Sequence, residues 1–261
     1  MKLMTLRHND SMTVATLESI TLRLFDIEGS PNIRHLGGYE TRNGGVTSAD
    51  MVRAASLHRL KPEGVEHLRE RGVRTVVDLR SKVERERDVT PDLAPYGMAH
   101  VFAPVFEQEA SPVGLATDAF VGYGVVYERM LRMGRAAYRT LFETIATTEG
   151  GLLFHCAVGK DRTGVAAALM LNLAGVPDEV IVEDYSHSGE LLRPLFVEWL
   201  PRMAERGIPQ ERAEALMGSP AEAMESALQH LHSTYGSAEG YLLEIGLDNA
   251  TLTAVRQRVS G

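Results

Sequence analysis

The sequence predicts an α/β fold with a central, mainly parallel sheet flanked by helices. Three observations predict it. Strand-like and helix-like segments alternate along the chain, the order that sets parallel strands side by side under a cover of helices. Val73-Arg74-Thr75-Val76-Val77-Asp78-Leu79 is a β-branched run suited to a buried strand. Gly150-Gly151-Leu152-Leu153-Phe154-His155 is a second apolar strand, followed closely by an Ala/Leu-rich helix from Arg162 to Ala174 that Gly175 ends.

The remaining elements follow in order. Asp26 to Asp50 carries Gly-Gly pairs at 37–38 and 44–45 and little helical periodicity, so short strands and turns are expected. Leu60 to Arg71 reads as a helix: Pro62 suits the first turn, Val65 and Leu68 share a face, and Gly72 stops it. Met98 to Phe102 is a weaker strand. Ala103 to Thr117, with Pro104, Pro112 and Gly114, reads as a loop, and Ala119 to Thr147 as helix. Pro177 to Asp184 begins another helix. Glu190 to His232 is helical in pattern but punctuated by Pro194, Pro201, Pro209 and Pro220, which predicts several short helices. Glu239 to Val259 holds one or two more. No repeat, low-complexity tract or linker interrupts the chain, so residues 1–261 are expected to form one domain.

Composition narrows the function classes. At 261 residues the chain can hold one sizeable core, and 44% apolar with 24% charged residues is ordinary for a globular protein. A net charge of −8 gives no support for nucleic-acid or anionic-membrane binding. No run approaches the ~18–20 apolar residues of a transmembrane segment. Met1 to Ala15 lacks a basic region followed by an apolar core, which predicts no secretory leader. The single cysteine excludes an intrachain disulfide and fits a reducing, cytoplasmic setting, with signal-free export left open.

That cysteine sits in the segment that carries chemistry. Phe154-His155-Cys156-Ala157-Val158-Gly159-Lys160-Asp161-Arg162-Thr163-Gly164 joins the second strand to its helix. Five residues separate Cys156 from Arg162, enough to curl around one tetrahedral anion. Backbone N–H groups of Ala157, Val158, Gly159, Lys160, Asp161 and Arg162 would face the anion, aided by the positive end of the helix. Gly159 permits the tight path, and the planar fork of Arg162 can hold two phosphate oxygens. A free thiol of pKa ~8.5 is only a few per cent ionised at pH 7, and such positive surroundings can lower it to ~3.5–7.5. One loop can therefore activate Cys156 and bind a phosphate dianion. Attack on phosphorus would give a cysteinyl-phosphate, later hydrolysed by water.

Two rival chemistries fail on the letters. A nucleoside-triphosphate loop needs Gly-x-x-x-x-Gly-Lys-Ser/Thr, but Phe154 and Asp161 occupy the first Gly and the Ser/Thr positions. A zinc site lacks cysteine partners, and none of the nine histidines falls in a His-Glu-x-x-His pattern. Neither a metal nor a cofactor is expected.

His155-Cys156-x5-Arg162-Thr163-Gly164 resembles the signature of the protein tyrosine phosphatase superfamily. The fuller string is similar to bacterial tyrosine/lipid phosphatases, a family that includes a secreted mycobacterial enzyme. Asn32-Ile33-Arg34-His35-Leu36-Gly37-Gly38, Val52-Arg53-Ala54-Ala55, Val77-Asp78-Leu79-Arg80-Ser81 with Glu84, and Asp184-Tyr185 resemble further family strings, so the likeness spans about residues 25 to 190. It departs at His35, where the family usually has Asp, and at Ser186-His187-Ser188-Gly189. The resemblance implies a Cys-phosphatase fold with Cys156 and Arg162 catalytic and His155 and Thr163 supporting. It implies phosphotyrosine proteins and/or phosphoinositides as substrates, and phosphate or vanadate as occupants of the loop.

The leaving oxygen needs a proton donor, and no Trp-Pro-Asp loop is present. Asp78 ends a buried strand, where parallel sheets present functional residues, and the resemblance points to it too. Asp161 sits inside the loop, and Asp118 lies upstream of it. Lys160 could hold an extra ring phosphate of a lipid substrate, and Arg69, Arg71, Arg74, Arg80, Lys82, Arg85 and Arg87 make a locally basic stretch interleaved with Glu70, Glu84 and Glu86. Apolar residues at helical spacing from Leu191 to Leu231, together with the resemblance, suggest a lid-like helical insertion over residues 190–235. Two other functions compete: a catalytically silent phosphate-binding module and a rhodanese-like sulfurtransferase.

Overall fold

The computed structural model describes residues 20–107 and 123–261. Its strands are β1 (Arg34–His35), β2 (Met51–Ala54), β3 (Val73–Asp78), β4 (Ala99–Phe102) and β5 (Gly151–His155). They form one sheet in the order β1-β2-β5-β3-β4, parallel throughout except for the antiparallel β1–β2 pair. Helices follow as α1 (Pro62–Glu70), α2 (Lys82–Arg87), α3 (Tyr123–Met133), α4 (Arg135–Thr147), α5 (Asp161–Leu173), α6 (Asp178–Leu191), α7 (Arg193–Glu205), α8 (Gln210–Met217), α9 (Ala221–Tyr235), α10 (Ala238–Glu244) and α11 (Asn249–Val259). This is the predicted α/β architecture.

Strand periodicity divides the core. Leu152 and Phe154 of β5 join Val77 in a large cluster with α3 to α6 and α9 to α11, whereas Leu153 joins Val73, Val76 and Val52 on the opposite face with Val65 and Leu68 of α1. Alternate side chains of a strand point to opposite faces, so a strand covered on both sides must be apolar throughout. Every residue of β5 is buried. In register, His155 pairs with Asp78 on one side and with Ala54 on the other, which lines up the carboxyl ends of three parallel strands. Ligands of such sheets bind outside that edge.

Two expectations are adjusted. The helix expected over 119–147 is, within the described residues, two helices broken at Gly134, where a Cβ would meet the Met130 carbonyl and the Tyr138 ring. Residues 119–122, and most of the loop expected over 103–117, lie outside the described residues. Pro201 does not end α7; the carbonyl that loses its donor belongs to Val197, on an exposed turn. Strand β2 and helix α2 were not anticipated from the sequence, because Arg53 interrupts the apolar pattern of β2 and α2 is six residues long.

The segment 190–235 also divides. Helix α9 places Ala223, Met224, Ala227, Leu228 and Leu231 in the main core. Helices α7 and α8 instead form their own cluster, with Phe196, Met203, Ala213, Leu216 and Met217 packed around Val158 of the Cys156 loop. Among the described residues no helix is long and apolar enough to cross a membrane.

Candidate active site

Five residues, Cys156 to Lys160, connect β5 to α5. Their carbonyls are tied to one side. The Ser56 N–H donates to Ala157 O at 3.1 Å, Asn32 Nδ2 donates to Val158 O at 3.2 Å and Gly159 O at 2.9 Å, and Arg53 Nη2 donates to Gly159 O at 2.8 Å. A trans peptide points its N–H opposite its C=O. The N–H groups of Val158, Gly159 and Lys160 therefore face the other side of the loop, where the N-terminus of α5 adds its own. Such a nest favours an anion. Gly159 has φ +70°, and a Cβ there would run into the Ala54 carbonyl, so only glycine fits. Asn32, which bridges two loop carbonyls, is itself left-handed at φ 61°.

Arg162 is buried and its orientation is fixed by Glu84. Nη1 lies 2.6 Å from Oε2 and Nη2 2.7 Å from Oε1. Two of the five guanidinium donors are used there, leaving three. Burial alone would lower the Arg162 pKa, but Glu84 and the charge of Cys156 raise it above its ordinary value. Glu84 is aimed by a capping box at the start of α2, accepting from the Ser81 N–H at 2.9 Å while its own N–H donates to Ser81 Oγ. Burial alone would raise the Glu84 carboxyl; hydrogen bonds from Arg162 and Ser81 keep it low.

Cys156 is a buried free thiol. His155 behind it is fully buried, with Nδ1 3.1 Å from the Cys156 carbonyl oxygen. Burial pushes its pKa down to about 4 against the pull of Asp78, so the ring is neutral at physiological pH. Thr163 Oγ1 is buried and has no hydrogen-bond partner among the described residues.

The candidate acids differ in setting. Asp78 is fully buried and gripped by Arg80, with Nε 3.0 Å from Oδ1 and Nη2 2.7 Å from Oδ2. Burial alone would raise its pKa, but His155 and Arg80 hold the carboxyl below the usual carboxylate range. Asp161, on the first turn of α5, accepts a 2.7 Å hydrogen bond from Tyr127 Oη, which lies 2.6 Å from Tyr185 Oη. Burial and Asp161 raise the Tyr127 pKa well above 10, so this phenol stays a donor. Asp118 lies outside the described residues.

Lys160 is turned away from open solvent. Its Nζ donates to Leu216 O at 2.9 Å and Gly218 O at 2.7 Å, the carbonyls that end α8, and lies 3.5 Å from Asp161 Oδ1. Burial lowers its pKa, opposed by Asp161. Much of the basic stretch is paired: Arg69 with Glu66, Lys82 with Glu86 and Arg87 with Asp88.

One buried network had no role assigned from the sequence. Asp184 of α6 accepts from Arg34 Nε at 2.9 Å, from Tyr39 Oη at 2.9 Å and from Arg53 Nη1. Burial would raise its carboxyl, yet Arg34 and Arg53 hold it far below the usual range. Arg53 thus links Asp184 to the Gly159 carbonyl. The signal was the set of charged residues inside otherwise apolar segments at 34, 53 and 184, but their sequence separation hides the pairing.

The tyrosine phosphatase family model matches residues 25–260. A tyrosine-protein phosphatase of Nostoc commune is 30% identical over 222 residues, covering 80% of this chain and 73% of its own. The triple specificity protein phosphatase PtpB of Mycobacterium tuberculosis is 27% identical over 270 residues, covering 88% and 97%.

Proposed function

The chain belongs to the tyrosine phosphatase family, and on that premise we propose that it hydrolyses phosphate monoesters through a cysteinyl-phosphate on Cys156. The observation that carries this reading is the Cys156 loop itself, with its carbonyls tied outward by Ser56, Asn32 and Arg53 and Arg162 held by Glu84. Phosphate binds between the loop amides and the Arg162 fork. The Cys156 thiolate attacks phosphorus, the P–O ester bond breaks, and the leaving oxygen takes a proton from Asp161. Water then cleaves the S–P bond, releasing phosphate and restoring the thiol. Asp161 is preferred to Asp78 as the acid because Asp78 is sealed and locked to Arg80. His155 and Thr163 support the loop, with no metal or cofactor in the reaction.

Phosphotyrosine proteins are the first substrate class. Phosphoinositides form a second reading, motivated by Lys160 and requiring that it leave the carbonyls of Leu216 and Gly218. Substrate access also requires α7 and α8 to move, since Cys156 is buried and their cluster packs on Val158; these helices are the proposed lid. The single cysteine suits a reducing cytoplasm.

Release of phosphate from p-nitrophenyl phosphate, blocked by vanadate and absent in Cys156→Ser, tests the reading. Radiolabelled phosphate trapped on wild-type protein in a denaturing quench tests the intermediate. Phosphate binding without turnover would favour a silent binding module, and thiocyanate formation a sulfurtransferase.

A further inference from the structure

A second constellation lies beside the Cys156 loop, on the same edge of the sheet. Asp78 ends β3, His155 ends β5 and His100 lies in β4, paired in register with Val76. Asp78 Oδ2 is 3.8 Å from His155 Nε2 and 3.9 Å from His100 Nε2, and one ligand atom from each residue falls within 4.8 Å of the others.

Hydrogen bonding fixes what His155 offers. The Cys156 carbonyl can only accept, so the 3.1 Å contact assigns the proton of His155 to Nδ1 and leaves a lone pair on Nε2. Nε2 lies 3.8 Å from the Asp78 carboxylate oxygen, beyond hydrogen-bond distance. Among the described residues neither His155 Nε2 nor His100 Nε2 has a hydrogen-bond partner, although both atoms are buried and His155 is fully so. A buried polar atom without a partner costs about 1–3 kcal/mol. Two such imidazole nitrogens converging on a carboxylate are the donor set of a borderline divalent ion.

We propose that Asp78, His100 and His155 form a binding site for a divalent transition-metal ion of the Zn²⁺ class, next to the Cys156 loop and separate from the phosphate nest. Metal–ligand distances of ~2.0–2.2 Å require the three atoms to approach by roughly an ångström. Their supports are in place: His155 is oriented by the Cys156 carbonyl, His100 packs on Phe102 with tilted rings and centroids 4.5 Å apart, and Asp78 is held by Arg80. Arg80 also offsets the Asp78 charge, so binding is modest rather than tight. Because His155 donates to the carbonyl of the nucleophilic residue, an ion on Nε2 reaches the loop through one imidazole.

The test uses Co²⁺ as a spectroscopic probe on the full-length Cys156→Ser protein, which removes the thiolate as a competing ligand. The expected result is the intense visible absorption of four-coordinate Co²⁺, saturating at one equivalent and displaced by Zn²⁺. Adding His100→Asn should weaken binding by at least ~10–100-fold, with the fold checked by circular dichroism. His100→Phe, which keeps a ring against Phe102 and removes the ligand nitrogen, serves as a second variant if the first misfolds. Absorption that is absent from Cys156→Ser, or that His100→Asn leaves unchanged, overturns the site. Neither result bears on phosphatase activity, which is measured separately.

Discussion

Arg162 and Glu84 meet as two parallel forks in the buried floor of the site, at 2.6 and 2.7 Å. The pair lies 78 residues apart in sequence and sets the direction in which the remaining guanidinium donors point. Glu84→Gln can keep at most one of the two bonds and leaves a buried cation uncompensated. The expected outcome is a fall in kcat/KM on p-nitrophenyl phosphate of about 10²-fold, since a misplacement of about an ångström has that effect. Steady-state kinetics beside a thermal melt separates lost aim from lost fold.

Asp161→Asn should lower turnover of an alkyl phosphate by about 10²–10⁴-fold and barely affect p-nitrophenyl phosphate, whose leaving group needs no proton. The alkaline limb of the pH–rate profile on the alkyl ester should vanish with it. Asp78→Asn should instead cost stability, because Arg80 loses its buried counter-charge. If Asp78→Asn alone abolishes the alkaline limb, the acid is reassigned.

Lys160→Ala removes the cation that satisfies the carbonyls ending α8. Losing about 1–2 kcal/mol of closure raises the open population of α7 and α8 about 5–30-fold. Peroxide should then inactivate the enzyme correspondingly faster, because one cysteine cannot be rescued as an intrachain disulfide. Unchanged inactivation kinetics would reject a protective lid. The same variant assayed on phosphoinositides and phosphopeptides shows whether Lys160 also reads a second phosphate.

Asp184 gives a pH-dependent contribution with a definite sign. Its folded pKa is depressed below the unfolded value of about 3.9, so its stabilisation is full above that pH and is lost as pH falls further toward the folded pKa. Asp184→Asn should cost about 3–5 kcal/mol near neutrality. Its urea midpoint should also change less than that of wild type between about pH 5 and pH 2. Parallel pH profiles for the two proteins would show that Asp184 does not carry this term.

Much of this molecule was legible in its sequence. The β-branched run at 73–78 and the apolar run at 151–155 became adjacent parallel strands because both are covered on two faces, so that β5 is buried throughout and β3 everywhere but Arg74. Cys156, Gly159 and Arg162 were legible together because they lie within seven consecutive residues, and their spacing alone describes a loop around an anion. Short-range chemistry leaves short-range signals.

What holds that loop is another matter. Asn32 and Arg53 reach it from separate parts of the chain, Asp184 acts through Arg53 and Glu84 through Arg162, and Asp78, His100 and His155 come from three different strands. In the letters a buried arginine looks like any surface arginine, and β2 lost its strand signature to one. Lys160 could be read as a phosphate ligand until α8 ended against it. Sequence determined which backbone the chain carries and which loop holds its thiol, since these follow from local periodicity and spacing. Only the tertiary structure decided which buried charge meets which, because desolvation forces each one to find a partner that sequence distance does not reveal.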